Sequence, residues 1–344
     1  MTMDSDVLDE GLRRIATTGP EFSRGLSNHA PMAAEALVRL GRADTVHPWL
    51  DGYLRRLNDA PWPSDRVTDQ TWRDALGKPG RVADWEVYFR DQIGGQPWRD
   101  VLVGWWPRLL PGLVAAGTHG VIRTCHAARS LAVAGTAERR DELARGLAYW
   151  AASYRELPGT TRTAGHLDLT AAIAGLPVAA GPPAPGLITD GLAAGLAAEP
   201  GFDAAAAALR PPADVATDLR DLAGAFARVF LAYGREAPIA LLHAVTATVA
   251  TRSVLPLLPD ELARPTYDGL WRVGAALYAV YAGGVTAEPL PASAPPSQDT
   301  VTEQAVATGD EHAIKLTEAC LRLHAETSDP LLLHAAARAS ELLG

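Results

Sequence analysis

Apolar residues in this chain recur at helical rather than alternating spacing, and Ala, Leu and Arg dominate the periodic segments. The expected fold class is therefore all-α, a multi-helix bundle. The period places helices at 28–40, 97–117, 119–134, 136–155, 214–233, 237–255, 259–283, 308–325 and 328–343. Several begin at capping or glycine punctuation: Ser27-Asn28 before the first, Gly117-Thr118 before the third, and Thr308-Gly309-Asp310 at the penultimate one.

Two stretches break the period and are expected to be irregular. One is 157–186, with Pro158-Gly159-Thr160-Thr161 and Gly181-Pro182-Pro183-Ala184-Pro185; the other is 284–300, around the Pro- and Ser-rich run from Pro289 to Ser297. Either serves as an inter-lobe connection or a lid. A chain of 344 residues, 48% of them hydrophobic, can bury one large core or two closely packed lobes. Composition does not shift across either stretch, so 1–344 reads as a single helical domain. Ala204 to Ala208 is low in complexity, but no fixed-period repeat signals a solenoid.

A formal charge of -9 and Lys and Arg spread among acids leave no basic stripe, so no nucleic-acid partner is expected. The start, Met1-Thr2-Met3-Asp4-Ser5-Asp6, lacks the pattern of a secretory signal, and no run reaches the length and purity of a membrane span. The expectation is a cytoplasmic protein without a membrane partner. Cys125 and Cys320 lie in helix-like segments without zinc or redox spacing, and read as reduced, buried small hydrophobes.

Familiar catalytic signatures are missing. The sequence has no Gly-x-Gly-x-x-Gly, P-loop, Gly-x-Ser-x-Gly or His-Glu-x-x-His, and no histidine has Glu three residues before it, which disfavours a di-iron carboxylate bundle. What remains is a set of nine histidines, several inside apolar helical stretches where an unpaired imidazole is costly. His243, in Pro238-Ile239-Ala240-Leu241-Leu242-His243, needs a hydrogen-bond partner or a metal; taken alone, a satisfied core histidine is the plainer reading. His312 and Lys315 lie three apart on one helical face. A lysine turned inward loses its proton more easily, and a neutral amine can add carbon dioxide to give a carbamate, an oxygen donor. The plainer alternative is that Lys315 snorkels outward and His312 caps or packs.

His119, Arg123 and His126 share a helical stripe. Seven residues of helix rise about 10.5 Å, so one metal ligand and one outer residue are expected rather than two ligands; the alternative is a polar stripe at a helix seam. His29, in Leu26-Ser27-Asn28-His29-Ala30-Pro31, sits at a capped first turn and is well oriented. His47, His166, His324 and His334 read as structural.

Taken in order, Asn28-His29, Gly117-Thr118-His119-Gly120-Val121-Ile122, Leu242-His243-Ala244-Val245-Thr246 and His312-Ala313-Ile314-Lys315-Leu316-Thr317-Glu318-Ala319 resemble the questin oxidase-like family, from about residue 20 to about 325. The resemblance implies an enzyme acting on anthraquinones or related aromatic polyketides by oxidative ring opening. It further implies a non-haem iron dioxygenase with Fe(II), dioxygen as co-substrate, and His29, His119, His243, His312 and an N-carboxylated Lys315 as ligands. Arg123 and His126 would then be outer or substrate-binding residues. Fungal members often have a second histidine four positions after the one matching His119; here that position is Arg123, a departure that touches the outer shell and the substrate class.

A small aromatic substrate would lie against Trp105, Trp106, Trp271 or Tyr278, residues that otherwise read as core. Two alternatives stay open: an NADPH-dependent Baeyer–Villiger-like oxidase, which no dinucleotide fingerprint supports, and a metal-free helical protein that binds a partner or a hydrophobic small molecule. The substrate and the oligomeric state are not legible in the sequence.

Overall fold

The computed structural model describes residues 3–23, 25–159, 162–181 and 183–344, without the side chains of residues 3–5. Thr160, Thr161 and Pro182 of the expected connection at 157–186 lie outside the described residues. The fold is all-α, with seventeen α-helices and one two-stranded hairpin among the described residues. The chain divides into two compact units, Met1–Arg155 and Glu156–Gly344.

The first unit holds α1 (Met3–Ile15), a hairpin of β1 (Glu21–Phe22) and β2 (Leu26–Ser27), α2 (Ala30–Arg39) and α3 (Ala43–Tyr53). It continues with α4 (Trp72–Ala75), α5 (Val82–Gly95), α6 (Trp98–Leu109), α7 (His119–Val133) and α8 (Ala137–Ala152). Its core pairs α7 with α8 and α5 with α8, and lays α2 on α7. Glycine permits the closest approach: a Cβ on Gly120 would sit 2.8 Å from the Trp150 Cα, and one on Gly146 would sit 3.0 Å from the Thr124 Cα. Beside this pair an aromatic cluster of Trp72, Trp85, Tyr88, Phe89 and Trp105 packs edge-on and stacked.

The period suggested one helix over 97–117, but α6 stops at Leu109. Pro111 has no N–H to extend the ladder, and two 3₁₀ turns follow, Leu110–Gly112 and Ala115–Thr118. The second is left-handed, with φ of 50° at Ala116, 65° at Gly117 and 76° at Thr118. Such angles cost a residue with a side chain about 1–2 kcal/mol, so packing has to hold Ala116 and Thr118 there.

The second unit contains α9 (Leu169–Ala174), α10 (Ile188–Ala197), α11 (Phe202–Ala207), α12 (Val215–Tyr233) and α13 (Pro238–Val254). α14 (Asp260–Tyr281), α15 (Gln298–Thr308), α16 (Glu311–Thr327) and α17 (Pro330–Leu343) complete it. Its principal pairings are α12 with α13, α16 with α17, α13 with α14, and α13 with α16, so α13 is the shared spine. Side-chain oxygens of Asp168, Asp214, Ser297, Asp310 and Asp329 accept N–H bonds at the starts of α9, α12, α15, α16 and α17.

Two expectations need correcting here. The short helix α9, capped by Asp168, interrupts the stretch 157–186 that lacks a long period. By length and composition alone, Pro238–Leu257 passes as a membrane-crossing helix, contrary to the sequence reading; 72% of that window is buried inside the protein, as befits the spine of a helical core.

Candidate functional site

His29 and His119 come together in the first unit. The turn that delivers His29 is fixed by its neighbour: Asn28 Nδ2 donates to the Gly19 carbonyl at 2.8 Å and to Thr18 Oγ1 at 3.0 Å, while Asn28 Oδ1 accepts from the Ala30 N–H at 3.0 Å. The N-cap of α2 is His29 itself, without a side-chain cap bond, so the expected cap is replaced by an Asn28 turn that ties the start of α2 to the loop before the hairpin. Tyr53, at the end of α3, accepts the main-chain N–H of His29 at 3.0 Å, and its hydroxyl lies 3.3 Å from His29 Nδ1.

His119 opens α7 immediately after the left-handed turn, and this curl brings the Ala116 carbonyl 2.5 Å from His119 Nδ1. A carbonyl only accepts, so Nδ1 carries the hydrogen and a neutral His119 presents a lone pair at Nε2. His29 Nε2 faces that lone pair at 2.7 Å, the rings nearly perpendicular at 82°. The two nitrogens either share a hydrogen or bind one cation together. Ligand nitrogens about 2.0–2.1 Å from a first-row metal, at a right angle, stand about 2.9 Å apart. The observed separation fits that edge closely, and the Ala116 carbonyl supplies the backing hydrogen bond that metal-bound histidines usually have.

His126 goes elsewhere. Its Nδ1 bonds to Glu35 Oε2 at 2.9 Å, and Glu35 also takes a hydrogen bond from Arg129 Nε at 2.9 Å. Burial pushes the Glu35 carboxyl up, but Arg129 and His126 outweigh it and hold it well below the ordinary carboxylate range. Arg123 donates Nε and Nη2 to Glu142 at 2.6 and 2.9 Å, a two-pronged pair with both side chains buried. Beneath the His29–His119 pair, then, α2 is clamped to α7 through Glu35, and α7 to α8 through Arg123.

Glu35, Glu142, Arg129 and Tyr53 were not singled out by sequence. Glu35 did leave a trace, as the one acid within the apolar run Pro31 to Leu37. Tyr53 left none.

The second unit assembles His243, His312 and Lys315. His243 is fully buried on α13, and His312 and Lys315 are 6% and 1% exposed on α16. The imidazoles of His243 and His312 meet edge to face, centroids 5.5 Å apart. Asp310 orients the start of α16 by accepting the N–H groups of His312 and Ala313 at 2.8 and 3.0 Å. Its carboxylate stands 3.6 Å from His312 Nδ1, an electrostatic contact rather than a hydrogen bond. Burial, opposed by Asp310, lowers the His312 pKa, so the ring is a neutral donor at neutral pH.

Lys315 does not snorkel. Its Nζ is buried and accepts or donates no hydrogen bond among the described residues. Burial lowers its pKa to about 8 against the pull of Glu311 and Asp310. A sizeable neutral fraction at physiological pH leaves the amine able to react. Neutral imidazoles are ligands that suit first-row transition-metal ions in general.

The four aromatic residues weighed as a substrate wall are core. Trp106 and Trp271 are fully buried, Trp105 and Tyr278 nearly so, and the Trp271 indole donates to the Ala206 carbonyl at 2.8 Å. In the second unit a cleft of about 510 Å³ is lined by Arg220, Asp221, Arg228 and Asp329 among others, and by none of the candidate donors. Its charges pair with one another, Arg228 with Asp329 at 2.7 Å and Arg220 with Asp221 at 2.8 Å.

Compared with known proteins, the chain matches no protein-family profile and no curated protein.

Proposed function

We propose that this protein is a metal-dependent oxidoreductase, a non-haem iron oxygenase of the questin oxidase-like kind, which uses dioxygen to open or cleave an aromatic polyketide ring. The observation that carries the reading is the donor chemistry within each unit: His29 and His119 face each other Nε2 to Nε2 at 2.7 Å in the first, and His243, His312 and Lys315 are buried on α13 and α16 in the second. The proposed ligand set is the one the resemblance implies: His29, His119, His243, His312 and Lys315.

Lys315 would serve as its carbamate. The neutral Nζ attacks carbon dioxide, an N–C bond forms and one proton leaves to solvent, turning a buried base into a monoanionic oxygen donor. That change replaces a buried ammonium by a buried anion, whose own desolvation cost a bound cation would offset. Bound iron(II) supplies the redox chemistry for activating dioxygen, which side chains alone lack. The protein's own residues hold the imidazoles in their ligating tautomers and keep water away from the donors. The choice of an anthraquinone-like substrate rests on the resemblance of the four histidine-bearing segments.

The test is elemental analysis of anaerobically purified protein, prepared without chelator, alongside His119→Ala and His312→Ala. Near-stoichiometric iron in the wild type, absent from both variants, supports the proposal. Wild-type protein that stays empty when offered iron(II) under carbon dioxide overturns it.

A further inference from the structure

We propose that Tyr53 is the positioning residue for His29: by holding both the main-chain N–H and the Nδ1 side of this one histidine, its hydroxyl keeps the imidazole aimed so that Nε2 faces His119. The inference deepens the metal reading and rests on it.

Three observations converge on Tyr53. Its hydroxyl is 3.0 Å from the His29 nitrogen and 3.3 Å from His29 Nδ1, so one oxygen fixes the backbone and the ring of the same residue. Its own ring is immobilised: Trp49 stacks on it at 4.6 Å between centroids and 19° between planes, and the Arg56 guanidinium lies 4.8 Å over it. Finally, Tyr53 is 3% exposed, so no bulk water substitutes for the hydroxyl if it is removed.

The two imidazoles are oriented by different means. His119 is oriented by a carbonyl of its own turn, Ala116, which can only accept. His29 is oriented by a hydroxyl from another helix, which can accept or donate. With its lone pairs toward His29, Tyr53 leaves Nδ1 protonated and Nε2 available as a second lone-pair donor. Rotated to donate, it lets Nε2 keep its hydrogen and bond to His119 when no cation is present. Tyr53 thus suits both states of the pair, where a carbonyl at that point would suit one.

Tyr53→Phe removes the oxygen and retains the ring, the Trp49 stack and the Arg56 contact. Full-length wild type and variant, stripped of metal, are titrated with cobalt(II) in bicarbonate buffer, following heat and visible d–d absorption, and both are melted metal-free. The expected result is a cobalt(II) Kd about 10–100-fold weaker in the variant, with an altered d–d spectrum and a melting point within a few degrees of wild type. Equal Kd values and superimposable spectra overturn the proposal, as does a loss of melting temperature with no change in Kd, which marks Tyr53 as merely structural. If wild-type protein binds no cobalt(II) at all, the metal reading fails and this inference with it. If wild type binds and the variant binds equally, only the role of Tyr53 fails.

Discussion

Glu35 and Arg129 meet inside the first unit as a buried carboxylate and guanidinium, with His126 on the same carboxylate, joining α2 to α7 across 94 residues of sequence. Burial alone would raise the Glu35 pKa; its cationic partners reverse that and hold it well below 4.5. A carboxylate held low in the fold stabilises it above the unfolded value, and that contribution is lost as pH falls through the folded value. Glu35→Gln leaves Arg129 buried and unneutralised, a change that costs about 3–5 kcal/mol near pH 7. Urea melts from pH 7 downward should show the gap between wild type and variant closing on the acid side of about pH 4.5. A gap independent of pH would mean that the charge is not what matters.

Lys315 has the opposite sign. Unfolded, its amine keeps an ordinary pKa of 10.5; folded, burial brings it to about 8. Below about pH 8 both states are charged and the metal-free fold bears the full penalty, about 3 kcal/mol, which fades as pH rises toward 10.5. Lys315→Met is therefore expected to melt higher than wild type at pH 7 without metal, and nearly level with it at pH 10.5. A variant that melts lower at pH 7 would show that the amine has a stabilising partner.

If His29 and His119 form part of a metal site, ligand binding must raise the stability of the folded protein. Free cobalt(II) at a hundredfold excess over Kd adds about 2.7 kcal/mol. The melting point of wild type should climb with cobalt(II), and that of His119→Ala should stay flat. Equal shifts in both would place the ion elsewhere.

Gly120 tests the scaffold rather than the donors. An added methyl would meet the Trp150 Cα at 2.8 Å, and backbone cannot swing aside as a flexible side chain does. Gly120→Ala should destabilise by about 1–3 kcal/mol and, because Gly120 follows His119 directly, weaken cobalt(II) binding as well. Chemical denaturation and the same metal titration read the two effects separately.

The helices that sequence reveals most clearly are those whose apolar face is long and continuous. α13 and α16 appear within a few residues of their periodic signal, and with them the neighbourhood of His243, His312 and Lys315, because an i, i+3 relation is local. The approach of His29 to His119 is not local: it depends on α2 lying on α7, which no window of sequence contains. The same holds for Tyr53, which ends α3, a helix with Pro48 inside it, and reaches His29 across 24 residues of sequence. The break after Leu109 was in principle readable at Pro107 and Pro111, but the surrounding apolar run masked it. Neither the left-handed angles at Ala116 and Thr118 nor the hydrogen bond they create announces itself in residue types that normally avoid such angles.

That turn also bears on how fast an ion arrives. His29 and His119 are 4% and 6% exposed, so a hydrated cation reaches them only when something opens. Opening Ala116 to Thr118 would relieve the left-handed angles at two residues that carry side chains and would free His119, the first residue of α7. Loading should therefore be gated by the chain rather than by diffusion: uptake saturates with metal concentration, at a ceiling equal to the opening rate that the amides of Gly117 and Thr118 report when deuterium exchange is made opening-limited at high pH.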